Sequence, residues 1–421
     1  MGKTIVEKIL ARASHKDEVY PEERVWADLD LVVMRDFGGP NVILEYKDAF
    51  GEKPVFDGNK VAFTFDLHVP ARDEKVAKNQ AECREFAKLM GAKLFDVNTG
   101  IGQHILFEHG LVKPWDVIIG TDSHMNLLGA LGAFATGVGT TDITAGLAYG
   151  RLWFKVPKTH KYVISGKLKE RVGAKDVILS VLKKVKTDGA LYKAIEFTGN
   201  AIDDMNLAER ITLTSMVTEM SGKIGFIEPN PSILEFIKIR VASEFISDVE
   251  PINADNDAEY ERVINFDVSD LEPQIACPHS PDNVKDVKEV AGTPMNQVFI
   301  GSCTNGRFED LKVVAEILKG KHIKEGLRLI IVPATMEVAR AALEAGFYDI
   351  FLGAGAVVTN PGCALCTTGH PGILAPGEIM ISTSNRNFVG KLGRGAQVYL
   401  ASPATAAASA ITGVITDPRD I

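Results

Sequence analysis

Short apolar runs that stop on a polar residue or a glycine recur through the first and last thirds of the chain. They constrain the fold more than any other feature. Residues 31–34 stop at Arg35-Asp36, 60–65 at Asp66-Leu67-His68, and 116–120 at Thr121-Asp122-Ser123-His124. The run 94–97 precedes Gly100-Ile101-Gly102-Gln103-His104. In the last third, 297–300, 328–332, 356–359 and 378–382 repeat the pattern, with helical periodicity at 313–319 and 336–345 between them. Short, continuously apolar runs with helices between them describe strands of parallel sheets buried on both faces. Ligands of such sheets collect beyond the carboxyl ends of the strands, where these polar residues stand.

The spacing also predicts helices over 4–13 and 84–90 and a turn at Gly38-Gly39-Pro40. From residue 158 the character changes. Strands are expected at 161–165 and 192–197, helices at 174–186, 208–220 and 230–245, and an acidic connection at 247–259. At 421 residues the chain exceeds one ordinary core. The expected division is 1–157, 158–285 and 286–421, with the first and third parts similar α/β domains.

A hydrophobic fraction of 46% and a charged fraction of 24% are those of a globular protein in water. A net charge of −9 without a basic run argues against binding nucleic-acid phosphates. The N-terminal segment is amphipathic and has no apolar signal core. Residues 127–150 are the best membrane candidate, but their glycines, threonines and Asp142 favour a buried loop and helix. No glycine-rich nucleotide loop follows a strand. Five cysteines, an odd number, argue against a disulfide framework and for a reducing cytoplasm.

Three of those cysteines stand at strand ends. Cys303 follows Val298-Phe299-Ile300, and Cys363 and Cys366 form a C-x-x-C pair after 356–359. Converging thiolates can share a metal ion or a cluster. With His370 as a fourth ligand they make a zinc site. Alone, three cysteines suit a cubane iron–sulfur cluster whose open iron is a Lewis acid. An isolated C-x-x-C is weak evidence, since a lone cysteine is commonly a small buried hydrophobe. On spacing alone, cluster, zinc and inert thiols weigh about equally.

The flanking residues carry more. GSCTNGRFEDL, NPGCALCTTGHPG and STSNRNFVGKLG resemble three signatures of the aconitase superfamily. The resemblance runs from KTIVEKILARAS to the terminal YLASPATAAASAITGVITDP, and its nearest branch is that of the separate large subunits of isopropylmalate isomerases. It implies a three-domain α/β large subunit whose first and third domains surround a [4Fe–4S] cluster with an open iron, held by Cys303, Cys363 and Cys366. Cys83 and Cys277 match no ligand position. The implied reaction is reversible dehydration of an alkyl-substituted malate. Interconversion of 3-isopropylmalate and 2-isopropylmalate in leucine biosynthesis comes first, with 2,3-dimethylmalate, citramalate or homocitrate as alternatives. Single-chain members continue into a mobile domain, whereas this chain ends at Ile421. The resemblance therefore implies a separate small subunit, in a heterodimer or larger assembly, and a small dicarboxylate ligand, with no role for nucleic acid or membrane.

Such a dehydration needs an acid for the departing hydroxyl, a base for the neighbouring carbon, and cations for the carboxylates. By resemblance, Asp122, Ser123 and His124 match the family's D-S-H run, and Glu219 supplies a carboxylate near the open iron. Asn385 and Arg386 match its N-R pair, with the arginine on substrate carboxylate. Lys391 stands where a second arginine is common. Asp66, His68 and His104 complete the acid–base set, with His104 expected to matter more than His68. Each residue also has a plain structural alternative: Asp122 as a helix cap, Arg386 paired with a surface acid, Glu219 in solvent.

The chain departs from the family in several places. Asp66-Leu67-His68 and Gln103-His104 displace each histidine by one residue, which on a strand reverses side-chain direction. Met125-Asn126 follow the D-S-H run in place of the usual pair, and Ser215 replaces an asparagine. These changes bear on the substrate more than on the reaction. Two readings of other classes are a zinc-stabilised binding protein without activity, and an RNA-binding regulator of the kind known among aconitase relatives that lose their cluster.

Overall fold

The computed structural model describes residues 2–366 and 370–421; residues 367–369 of the last cysteine motif lie outside them. The first third forms a five-stranded parallel sheet. Its spatial order is Lys93–Phe95, Val61–Thr64, Leu31–Arg35, Val117–Gly120, Phe134–Gly137. Alternate side chains of each strand enter different cores. Val32 and Met34 face the helices Ile5–Ala13, Gly39–Phe50 and Glu74–Met90. Leu31 and Val33 enter a second core that also contains Cys303, Cys363 and Cys366. The two-sided burial anticipated from the apolar runs thus places one face of this sheet against the cysteine segments.

The last third builds a seven-stranded sheet in the order Val284–Asp286, Gln274–Ala276, Gln397–Ala401, Ile379–Ser382, Gln297–Ile300, Arg328–Ile331, Val357–Val358. The last five strands of that order run parallel, and the two before them pair antiparallel. This sheet begins at Gln274, on the N-terminal side of the boundary expected at 286. Number the parallel strands of each sheet one to five along the chain. Both sheets then have the spatial order three, two, one, four, five. Each has a switch point between strands one and four, where connections leave in opposite directions and a crevice opens.

The middle part forms a four-stranded parallel sheet in the order Ile224–Ile227, Ala194–Thr198, Thr159–Ser165, Arg262–Asp267. An antiparallel ribbon joins Arg24–Asp28 to Arg151–Lys155.

Several elements differ from expectation. Gly39 and Pro40 open the helix Gly39–Phe50 instead of a turn, because proline is accommodated in a first helical turn that lacks amide partners. Residues 208–220 divide into the α-helix Leu207–Ser215 and the tighter turn Met216–Met220. The helix at Pro231–Lys238 ends well before 245. Residues 127–150 comprise most of the tight helical segment Met125–Leu131, the strand Phe134–Gly137 and the helix Thr140–Tyr149. Among the described residues no helix is long and apolar enough to cross a membrane.

The first and third parts join directly. Ile101 N donates to Ala334 O at 2.8 Å and Met336 N to Thr99 O at 2.7 Å. Gly100, at φ +132°, allows this approach; a Cβ there would lie 2.5 Å from the Ala334 carbonyl oxygen. A buried ion pair, Arg307 to Glu108 at 2.7 Å, closes the same seam.

Candidate active site

The two switch points face one cavity. In the first sheet, strand one ends in Arg35, strand four is followed by Asp122, and strand two, flanking strand one, is followed by Asp66. Arg35 therefore lies between two carboxylates. Its Nε donates to Asp66 Oδ1 at 2.6 Å, and its Nη1 donates to Asp122 Oδ2. Asp66 Oδ2 also accepts from Gly102 N at 2.8 Å. Burial pushes the Asp66 carboxyl up to about 6, with Arg35 opposing. Burial would raise Asp122 too, but Arg35 and His124 hold it far below the usual carboxylate range.

In the third sheet, strands one and four deliver Cys303 and Asn385-Arg386. Cys303 lies in the short helix Ser302–Asn305, entered through Ser302 at φ +77°. Ala364, beside Cys363, has φ +45°. Non-glycine residues in this region cost about 1–3 kcal/mol each, strain that concentrates at functional sites. Asn385 Nδ2 donates to Cys303 Sγ at 3.3 Å, and Thr304 Oγ1 donates to Asn385 Oδ1 at 2.8 Å. Cys363 is anchored on the first part: its N donates to Asp66 O at 2.8 Å. Burial pushes the Cys303 thiol up to about 12, and charge on Cys366 adds to this. The contact between Cys363 and Cys366 raises the first thiol and lowers the second.

The middle part contributes two groups. Glu219, in the tight turn Met216–Met220, accepts at Oε1 from both His124 Nε2 and Arg386 Nε, each at 2.8 Å. Burial opposes its charge, but these two cations keep Glu219 below its ordinary range. Burial would likewise lower His124, but Asp122 and Glu219 raise it. The second group is Lys175, wholly buried at the start of the helix Ala174–Val185. Its Nζ donates to Thr383 O and Ser384 O, each at 2.9 Å, immediately before Asn385.

These groups enclose a cavity of about 200 Å³. Its polar wall holds Arg35, Asp122, Ser123, His124, Asn385, Arg386 and Lys391, and Cys366 also faces it; Phe37 and Leu67 form an apolar wall. Of the residues singled out from sequence, Asp122, Ser123, His124, Cys366, Asn385, Arg386 and Lys391 line it, and Glu219 bonds to two of them. Cys303 and Cys363 lie in the adjoining core with Cys366. Asp66, His68 and His104 do not line it. Asp66 is spent on Arg35 and Gly102. The one-residue displacements account for the histidines. Leu67 takes the cavity-facing place and His68 turns away, its ring stacked on His370 with centroids 5.3 Å apart. His104 is fully buried, its Nε2 at 3.0 Å from Cys303 O, and burial lowers it to about 3.

Among the described residues no three His, Cys, Asp or Glu side chains stand in a ready ligating array, neither the three cysteines alone nor the set with His370. The chemistry of the donors nonetheless fits a cationic group. Three thiols share one core beside a charged guanidinium, and Asn385 donates to one sulfur. Buried thiolates need such compensation.

The sequence reading passed over Arg35 and Lys175. Arg35 had a signal, because it ends an apolar run as Asp66 and Asp122 follow theirs. Lys175 had none, since a lysine near a helix start is ordinarily solvated.

The chain matches the aconitase family (aconitate hydratase) over residues 7–413. It is 47% identical over 421 residues to 3-isopropylmalate dehydratase large subunit 1 of Methanopyrus kandleri, covering 100% of this chain and 99% of that protein. It is 44% identical over 423 residues to 3-isopropylmalate dehydratase large subunit 1 of Archaeoglobus fulgidus, and 44% identical over 424 residues to the 3-isopropylmalate dehydratase large subunit of Halothermothrix orenii, with full coverage of both chains in each case.

Proposed function

The chain belongs to the aconitase family of hydro-lyases, and on that premise we propose that it is the large subunit of a dehydratase acting on an alkyl-substituted malate, first of all 3-isopropylmalate. The observation that carries this reading is the cavity between the two switch points, where cations for carboxylates, a carboxylate-bound histidine and an apolar wall stand beside three cysteines. The relatives' designation as large subunits supports a separate small subunit as partner.

Cys303, Cys363 and Cys366 would hold a [4Fe–4S] cluster, which supplies a Lewis acid that eases departure of hydroxide. The acid and the carboxylate contacts fall to this chain's side chains, and the base that takes the proton from the neighbouring carbon falls to the small subunit. Arg386 and Lys391 bind substrate carboxylate, and the arginine's orientation is fixed by Glu219. His124, kept protonated by Asp122 and Glu219, is the donor to the leaving hydroxyl. Ser123, exposed at the mouth, and Asn385 orient substrate and Cys303 respectively. Asp66 and His104 act as positioning residues, through Arg35 and Gly102 and through the Cys303 carbonyl. Leu67 and Phe37 give the alkyl group an apolar seat. A smaller substituent would leave part of that seat unfilled, so 2,3-dimethylmalate and citramalate rank after 3-isopropylmalate.

The test is to reconstitute the chain anaerobically with its small subunit and iron–sulfur and compare kcat/KM for 3-isopropylmalate, 2,3-dimethylmalate, citramalate, homocitrate and citrate. The proposal expects 3-isopropylmalate to lead. A higher kcat/KM for citrate overturns the substrate assignment, and no turnover with any of them overturns the function.

A further inference from the structure

We propose that Arg35 is a hydrogen-bond donor and counter-charge to the group held by the three cysteines, acting through Nη2 on the Cys363 side; this rests on the cluster reading above. A guanidinium is a rigid planar fork, so fixing two of its nitrogens fixes the third. Asp66 holds Nε and Asp122 holds Nη1. Nη2 is buried and has no hydrogen-bond partner among the described residues. A buried charged donor left without an acceptor is strongly unfavourable, so such an atom marks a place where an acceptor belongs.

The surroundings say which acceptor. Asp66 binds the guanidinium with its carboxylate, and its backbone carbonyl accepts from Cys363 N at 2.8 Å. One residue therefore sets the position of both Arg35 and Cys363. Cys366 shares the cavity wall with Arg35. The sulfur-rich side is thus the direction in which the third nitrogen is wanted. Two carboxylates clamp the fork at the ends of neighbouring strands and leave it no freedom to swing toward solvent.

A cation that donates a hydrogen bond to cluster sulfur or cysteinyl sulfur stabilises the more negative, reduced state and raises the reduction potential. The experiment is an anaerobic redox titration of the reconstituted full chain, followed by electron paramagnetic resonance, with iron per chain measured on the same samples. Arg35→Lys keeps a cation between Asp66 and Asp122, and so the fold, but loses the fixed third donor. Arg35→Gln loses charge and donor together. The expected result is a midpoint potential lower than wild type for Arg35→Lys and lower again for Arg35→Gln. If Arg35→Gln does not fold, Arg35→Lys alone decides. A merely structural arginine would reduce iron content while leaving the potential of the remaining clusters where it was, and that outcome overturns the proposal. It is equally overturned by an unchanged potential with a raised KM for 3-isopropylmalate once the small subunit is added, which would assign Nη2 to substrate. A wild-type chain that takes up no cluster overturns this inference and the cluster reading together, whereas a wild-type cluster insensitive to Arg35 overturns this inference alone.

Discussion

Glu219 accepts from two cations at one oxygen, and that arrangement fixes the state of His124. A histidine whose folded pKa is raised stays protonated above its ordinary value and loses its proton only as pH rises through the raised value. Glu219→Gln removes one of the two carboxylates that raise it. The imidazolium is then lost at lower pH, so the basic limb of the rate profile moves to lower pH, and turnover on the acid side of that limb falls by less than the roughly 10²–10⁴-fold that loss of the general acid itself would cost. An unmoved limb would take the acid role from His124. His104 makes a contrasting case. With Nε2 on the Cys303 carbonyl and no face on the cavity, His104→Asn is expected to lower iron content and turnover while leaving the pH limbs in place. At this scale the cysteines, His124 and Arg386 were legible because their neighbours form long, specific strings. Where His68 and His104 point was not, because a displacement of one residue is resolved only by knowing that Leu67 takes the cavity wall. Arg35 was hidden for another reason: its importance comes from two carboxylates distant in sequence.

Among elements, the first four parallel strands along the chain in each of the first and third sheets were readable as short apolar runs, whereas the fifth of each, Phe134–Gly137 and Gln397–Ala401, was not. The others missed are of different kinds. Arg24–Asp28 and Arg151–Lys155 alternate exposed and buried residues at the molecule's edge, and Gln274–Ala276 is short. The shared strand order could not be read, because it depends on pairings between segments far apart in the chain. It is nevertheless what brings both switch points to one cavity. The helix Ala174–Val185 is tied to the segment behind that cavity through Lys175, which joins the Thr383 and Ser384 carbonyls to the middle part. Lys175→Met leaves the Ser384 carbonyl buried without that donor, at about 1–3 kcal/mol for an unpaired group, while the Thr383 carbonyl keeps the Thr304 hydroxyl at 3.0 Å. The expected outcome is a lower denaturation midpoint together with a raised KM, as Arg386 loses its fixed place. An unchanged KM with lowered stability would confine Lys175 to the core.

At the scale of the whole molecule, the chain is expected to form one side of an active site. The purified chain, loaded with cluster, is expected to show negligible turnover, and addition of the small subunit is expected to restore it. A partner that closes the cavity mouth would exclude water and strengthen every charge interaction inside. High turnover from the chain alone would refute the two-subunit arrangement. Beneath that stands the central claim, a cluster held by Cys303, Cys363 and Cys366. It is tested most directly by iron and acid-labile sulfide per chain after anaerobic reconstitution, in the wild type, in Cys366→Ser, and in a Cys83→Ala/Cys277→Ala double variant. The account predicts about four irons and four sulfides in the wild type and the double variant, as for a cubane cluster, and loss of the intact cluster in Cys366→Ser. Full iron in Cys366→Ser, or zinc in place of iron in the wild type, would contradict it.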